Sequence, residues 1–106
     1  MAHDEKTAAR VRRSLSTQGA VVEKPMMGGL AFMVDGAMCC SVGKDSLLVR
    51  VGAEGREAAL ALPHVKPMKL GARVMKGFVR VAPDGFATAP ALKRWLAVGI
   101  AAGRSR

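Results

Sequence analysis

Apolar and polar residues change rhythm along this chain, and each change marks an element. From Asp4 to Ser16, Ala8, Val11 and Leu15 recur at intervals of three and four, leaving Lys6, Arg10 and Arg13 outside the stripe. That spacing predicts an amphipathic helix opened by Asp4 as N-cap. From Val21 the period becomes two. Leu30, Phe32 and Val34 alternate with Ala31 and Met33, and Met38, Cys40 and Val42 alternate with Cys39 and Ser41. Between these runs stands Asp35-Gly36, a strong hairpin signal, because a type I′ turn needs positive φ at both central residues. Gly43-Lys44-Asp45 makes a second turn, and Leu47, Val49 and Val51 alternate with Leu48 and Arg50 in a third strand.

Glu54 to Leu62 reads as a short helix stopped by Pro63, since proline disfavours the α conformation in the residue before it. Two further strands follow. Lys66 to Leu70 is interrupted by Pro67, which suits a sheet edge, and Lys76 to Ala82 alternates Gly77, Val79 and Val81 against Phe78 and Arg80. After the Asp84-Gly85 turn, Thr88 caps a last helix with Pro90 in its first turn. Its apolar stripe is Leu92, Trp95, Leu96, Gly99 and Ile100, and Arg104 to Arg106 reads as a frayed tail. The order α-β-β-β-α-β-β-α predicts a two-layer α+β domain, a five-stranded mainly antiparallel sheet with helices on one face. The pattern assigns Leu30, Phe32, Val34, Met38, Cys40, Leu47, Val49, Val51, Val79 and Val81 to the helix side. Ala31, Met33, Cys39, Leu48, Arg50, Phe78 and Arg80 fall on the other side.

At 106 residues the chain has room for a single domain over 1–106, with an ordered core over about 4–102. Half of the residues are hydrophobic and 24% charged, so the sequence is expected to fold around a core rather than stay disordered. Its longest uncharged run, Pro25 to Val34, is too short for a bilayer-spanning helix, which needs roughly 20 apolar residues. No basic segment leading into an apolar one follows Met1, so a cytoplasmic address without membrane attachment is expected.

Charge changes the picture more. The formal net charge is +9, carried unevenly: residues 1–53 hold seven bases and five acids, residues 54–106 ten bases and three acids. Between Ala58 and Pro83 there is no acid, while Lys66, Lys69, Arg73, Lys76 and Arg80 all fall there. Such a stretch is either a solvated basic face or a polyanion site, and as a nucleic-acid surface it would add Lys93 and Arg94. With three Phe, one Trp and no Tyr, a stacking platform for single strands is disfavoured.

Candidate chemistry is sparse. Cys39 and Cys40 are adjacent, too close for an unstrained disulfide and without metal-site spacing; they read as free thiols, one on each sheet face, suited to a reducing compartment. His3 and His64 are isolated and read as solvent-facing. No nucleophile with a base, no paired carboxylates and no metal cluster assembles, so neither enzymatic activity nor a cofactor is expected. Gly28-Gly29 lacks the spacing of a phosphate loop and reads as a bulge or close backbone approach. A ligand site near Gly28, Gly29 and Cys39 is the rival reading. Four of the seven methionines, Met26, Met27, Met33 and Met38, cluster around the first hairpin, where they fill core, and Trp95 anchors the last helix. The second sheet face is too apolar for full solvation, which predicts a homodimer through Met33, Cys39, Leu48, Arg50, Phe78 and Arg80.

Several segments in order carry a family resemblance. Glu23-Lys24-Pro25-Met26-Met27-Gly28-Gly29-Leu30-Ala31-Phe32-Met33 precedes Asp35-Gly36, Met38-Cys39-Cys40 and Leu48-Val49-Arg50-Val51-Gly52. Pro63-His64, Pro67-Met68 and Met75-Lys76-Gly77-Phe78-Val79 follow, and the helix with Trp95 closes the series. Together they resemble the N-terminal domain of the TfoX/Sxy family of competence regulators, over roughly Asp4 to Ala102. Met27 departs from the pattern, since the family commonly has phenylalanine before the two glycines. The resemblance implies a secretion-chaperone-like α+β domain, often dimeric, and a non-enzymatic regulatory or protein-interaction role. In full-length relatives a helical domain follows, and those proteins promote transcription of DNA-uptake genes with the cyclic-AMP receptor protein. It implies no catalytic residues and leaves two expected partners beside a second copy: an unidentified regulatory protein and nucleic acid.

Overall fold

The computed structural model describes residues 3–26 and 29–104, which form a six-stranded antiparallel sheet covered on one side by three helices. In chain order the elements are α1 (Glu5–Leu15), β1 (Val21–Met26), β2 (Gly29–Val34), β3 (Ala37–Val42), β4 (Leu47–Arg50), α2 (Gly52–Leu60), β5 (Val65–Leu70), β6 (Arg73–Val81) and α3 (Ala89–Arg104). A single 3-10 turn, Pro83–Gly85, precedes α3. Across the sheet the strands run β1-β2-β3-β4-β6-β5. The chain therefore leaves the four-strand meander through α2, lays β5 at the far edge, and returns as β6 beside β4.

The α+β class and the single helix layer agree with the sequence pattern; the number of strands does not. Val21–Met26 is a sixth strand, paired from Val21↔Val34 to Met26↔Gly29. It carries no usable alternation because it is an edge strand: Val22, Glu23, Lys24 and Pro25 are all exposed. Charged side chains and proline are how an exposed edge resists further pairing. Pro67 likewise sits in the opposite edge strand, β5, as its sequence position predicts.

Element boundaries shift for local reasons. Helix α2 begins at Gly52, whose φ of +74° starts the helix two residues before Glu54, and it closes at Leu60 with a turn through Leu62. Strand β6 starts at Arg73 rather than Lys76, because Gly71, at φ +65°, turns the β5–β6 hairpin there. Arg104 lies inside α3, while the rest of the expected tail falls outside the described residues.

The Asp35-Gly36 hairpin forms as expected, with φ of +51° and +85°. Within this same hairpin the ladder slips. Phe32 faces Cys40, but Met33 faces Met38, so Cys39 is an extra residue in β3. This β-bulge corrects two face assignments. Met38 turns to the helix-free side with Met33, and Cys39 turns under α3, its thiol donating to the Leu96 carbonyl at 3.5 Å. Both cysteines thus join the core cluster.

That core lies between sheet and helices. Phe32, Val42, Leu47, Val49, Val79 and Val81 of the sheet meet Ala8, Val11 and Leu15 of α1, Ala59 of α2, and Leu92, Trp95 and Leu96 of α3. Polar contacts fix the layer. Asp4 Oδ2 accepts from the Thr7 backbone N and hydroxyl, and the Asp4 N–H donates to the Gly43 carbonyl. Arg12 forms a bidentate pair with Glu23 of β1, and the Thr88 hydroxyl accepts from Ala91 N at the start of α3. The Trp95 indole donates to the Gly85 carbonyl at 3.1 Å. His3 is not solvent-facing as its isolation suggests: its side chain is largely covered, with Nε2 3.0 Å from Glu5 Oε2.

Candidate functional site

The helix-free side of the sheet is organised by one cross-strand row that reaches both edges. Lys24 pairs with Ala31, Ala31 with Ser41, Ser41 with Leu48, Leu48 with Arg80, and Arg80 with Lys66. With neighbouring strands about 4.8 Å apart, the row spans roughly 24 Å. A lysine stands at each end, and small or apolar side chains form its centre. A second row adds Met33 beside Met38, and Arg50 opposite Phe78.

Apolar surface on this side is covered at the centre and open at the β1 edge, where the exposed Val22 stands opposite the partly buried Met33. Leu48 is 5% exposed, Met38 5% and Met68 2%. The cations themselves provide cover: the Arg50 guanidinium lies 5.5 Å from the Phe78 ring centroid, and Arg80 Nη2 lies 3.9 Å from Met68 Sδ. Long basic side chains can shield apolar groups with their stems while the charge stays in water. The Ser41 hydroxyl and Arg50 Nε are buried here without a hydrogen-bond partner among the described residues.

Among the described residues no strand places a carboxylate side chain on this surface. Asp4 and Glu5 start α1, Glu54 and Glu57 lie on α2, and Asp84 lies in the 3-10 turn. Asp35 and Asp45 occupy turns at the sheet ends, and Glu23 is bound to Arg12 on the helix side. That pairing holds the Glu23 carboxyl below its ordinary pKa, chiefly through the Arg12 hydrogen bond. The Thr7 hydroxyl does the same for Asp4. The described acids thus stand on the helices, in turns or against Arg12, and on the open side the strands carry cations and no acid; Glu54 comes near only at the margin, where it lines a groove with Arg50.

The basic stretch singled out in the sequence forms the β5–β6 hairpin. Lys66, Lys69, Arg73, Lys76 and Arg80 are all exposed, and among the described residues none of them is in an ion pair. Lys66 and Arg80 belong to the cross-sheet row, whereas Lys69 and Arg73 lie near the hairpin turn. Between these two parts the ladder is irregular, with Met68 opposite Met75–Phe78. Lys93 and Arg94 are not brought to this patch, because α3 lies across the sheet from it.

Of the residues expected at a dimer face, Met33, Leu48, Arg50, Phe78 and Arg80 share the helix-free side and Cys39 does not. The bulge places Cys39 beneath α3 at 1% exposure. Of the apolar members on that side Leu48 is buried, whereas Met33 and Phe78 are partly exposed. Lys24 belongs to the site and is missed by the sequence pattern; the signal was its alternation with Glu23, legible only once β1 is recognised as a strand.

Elsewhere the chemistry stays thin. Gly28 lies outside the described residues, while Gly29 stands against the Val42 backbone, where a β-carbon would collide. Close approach of two strands is therefore a sufficient reason for glycine at 29. The Cys40 thiol is pushed well up by the neighbouring Cys39 thiol and by burial. A groove of about 490 Å³ between the α2–β5 loop and α3 collects His64, Asp84, Arg94, Trp95 and the exposed Leu62 and Val98, with no Ser, Thr, Cys or Lys in its lining. Among the described residues no group of three or more His, Cys, Asp or Glu is placed to hold a metal, and no helix is long and apolar enough to cross a membrane.

Comparison with curated proteins and with solved structures finds no match. A family model described as the TfoX N-terminal domain matches residues 13–103, from the last turn of α1 to the last turn of α3. That span takes in all six strands, the bulge and the cationic hairpin, and on it the chain belongs to the TfoX N-terminal domain family.

Proposed function

We propose that this chain is a non-enzymatic regulatory module that acts by binding a macromolecular partner on its helix-free sheet face. Membership of a family associated with competence regulators supports the regulatory part. The binding part rests on one observation: a row of side chains across six strands ends in a lysine at each edge, and among the described residues no strand places an acid on that side. A solvated surface usually intersperses both signs of charge. Concentrating one sign on one face favours an oppositely charged partner and speeds its arrival. The cytoplasm, where two unpaired thiols stay reduced, is the proposed compartment.

The test is in the cell that makes the protein. Replacing Arg50, Lys66 and Arg80 together by glutamate should reproduce the transcript changes caused by deleting the gene, at unchanged protein abundance. A wild-type transcript profile from that variant would overturn the reading.

A further inference from the structure

We infer that the partner is a nucleic-acid duplex, held through its phosphate backbone along the β5–β6 hairpin and the adjoining cations of the sheet; this rests on the helix-free face being the contact surface. The ligand must be anionic. Lys24, Arg50, Lys66 and Arg80 on the sheet, with Lys69, Arg73 and Lys76 on the hairpin, have no ion-pair partner among the described residues. A second copy of the chain would oppose these cations with the same cations, and like charges juxtaposed across an interface cost several kcal/mol.

An acidic protein satisfies the charge but not the rest of the surface. Protein interfaces draw their energy from a few aromatic or aliphatic anchors buried in a dry centre. Here Leu48, Met38 and Met68 are already covered, Phe78 lies beside the Arg50 guanidinium, and the exposed Val22 with the partly buried Met33 is a small aliphatic patch at one edge, away from the cationic hairpin. A phosphate backbone needs no apolar anchor. It offers about one negative charge per 1.7 Å of duplex axis, so each cation on a face roughly 24 Å wide has a phosphate within reach.

Aromatic content then decides between duplex and single strand. Single-strand sites stack bases on exposed aromatic rings. Phe78 is the aromatic residue on this face, while Phe32, Phe86 and Trp95 are buried in the core. The contact is accordingly to phosphates, which position a protein without reading sequence.

The experiment measures binding of the full chain to a fluorescent 20-base-pair DNA duplex by anisotropy, between about 50 and 200 mM salt. If about five phosphates are neutralised, log K falls with log salt at a slope near −4.5, a loss of ~500-fold over that range. Two duplexes of unrelated sequence should bind alike. Lys66→Gln with Arg80→Gln should lower affinity at least tenfold at low salt and reduce the slope by about 2, with the melting temperature unchanged. Lys66→Arg should bind as wild type. Lys93→Gln with Arg94→Gln, on the helix side, removes the same charge and should cost much less; an equal loss would overturn the placement. Polyglutamate serves as the second probe. If it binds in a Lys66- and Arg80-dependent way and the duplex does not, the nucleic-acid inference fails while the helix-free face stands as a site for acidic protein. If neither binds at 50 mM salt, both fail.

Discussion

Gly99 of α3 lies directly against Cys39 of β3: a β-carbon at Gly99 would come within 2.8 Å of the Cys39 Sγ and closer still to its carbonyl oxygen. The helix can approach the sheet this closely because one residue has no side chain and the facing one is turned toward it by the bulge. Gly99→Ala brings two effects into opposition. Alanine favours the helix by about 1 kcal/mol over glycine, but here it meets a backbone oxygen that cannot move aside, and overpacking typically costs about 1–3 kcal/mol. The substitution is expected to destabilise, read as a lower urea midpoint at unchanged m-value. A stabilised variant would show that α3 stands further from β3.

The bulge also predicts thiol behaviour. Both cysteines face the core, Cys39 at 1% and Cys40 at 0% exposure. A thiol reagent should label neither in the native protein at neutral pH and both in denaturant, so labelling rises only as fast as the chain opens. If a regular ladder held instead, Cys39 would lie on the helix-free side, outside the cover of α3, and label faster than Cys40. One rapidly labelled thiol would therefore refute the bulge.

The bulge was beyond the reach of period-two reading, and the reason is local. Alternation assumes one residue per step, and β3 is apolar on both sides, so Met38, Cys39 and Cys40 offer no polar residue to show where the count slips. Elements with a one-sided contrast were legible: α1 through Ala8, Val11 and Leu15, and α3 through Leu92, Trp95 and Leu96. The Asp35-Gly36 turn was legible because its chemistry is local. Strand β1 was not, because its pairing depends on β2 and its exposed side chains carry no core signal. With β1 unseen, Lys24 could not be placed in the cationic row. The hairpin bases were visible as composition, whereas the absence of acids from the helix-free side of the strands became visible only with the register.

Glycines separate two kinds of conformational demand. Gly36 has φ of +85° and no atom within 4 Å of where a β-carbon would stand, so Gly36→Ala meets backbone strain alone. The left-handed region costs an L-residue roughly 1–2 kcal/mol, and a loss of about that size is expected. Gly77 is equally open but has no positive φ. Gly77→Ala should be neutral or stabilise by about 0.4–1 kcal/mol, through the entropy of the unfolded chain. Denaturant titration of both variants checks the pair; equal effects would contradict the φ assignment at Gly36.

Acid stability follows from the two carboxylates that hold α1. The Thr7 hydroxyl lowers the pKa of Asp4, and the Arg12 guanidinium lowers that of Glu23. In each case the folded carboxyl binds its proton less readily than the unfolded one, so unfolding takes up protons in acid. The stabilisation is complete above the ordinary carboxylate range and is lost as pH falls through the depressed folded values, about pH 4 and below. The expected outcome is a melting temperature flat from pH 6 to 8 and declining below about pH 4. Asp4→Asn with Glu23→Gln should flatten part of that decline. Asparagine keeps a capping oxygen for Thr7 N, so the double variant should still fold at neutral pH. Arg12→Gln removes the main cause of the Glu23 shift and should weaken the decline while Asp4 remains. A variant pH profile that overlays the wild type throughout would mean that neither carboxylate titrates with folding, and that α1 is held by Ala8, Val11 and Leu15 alone.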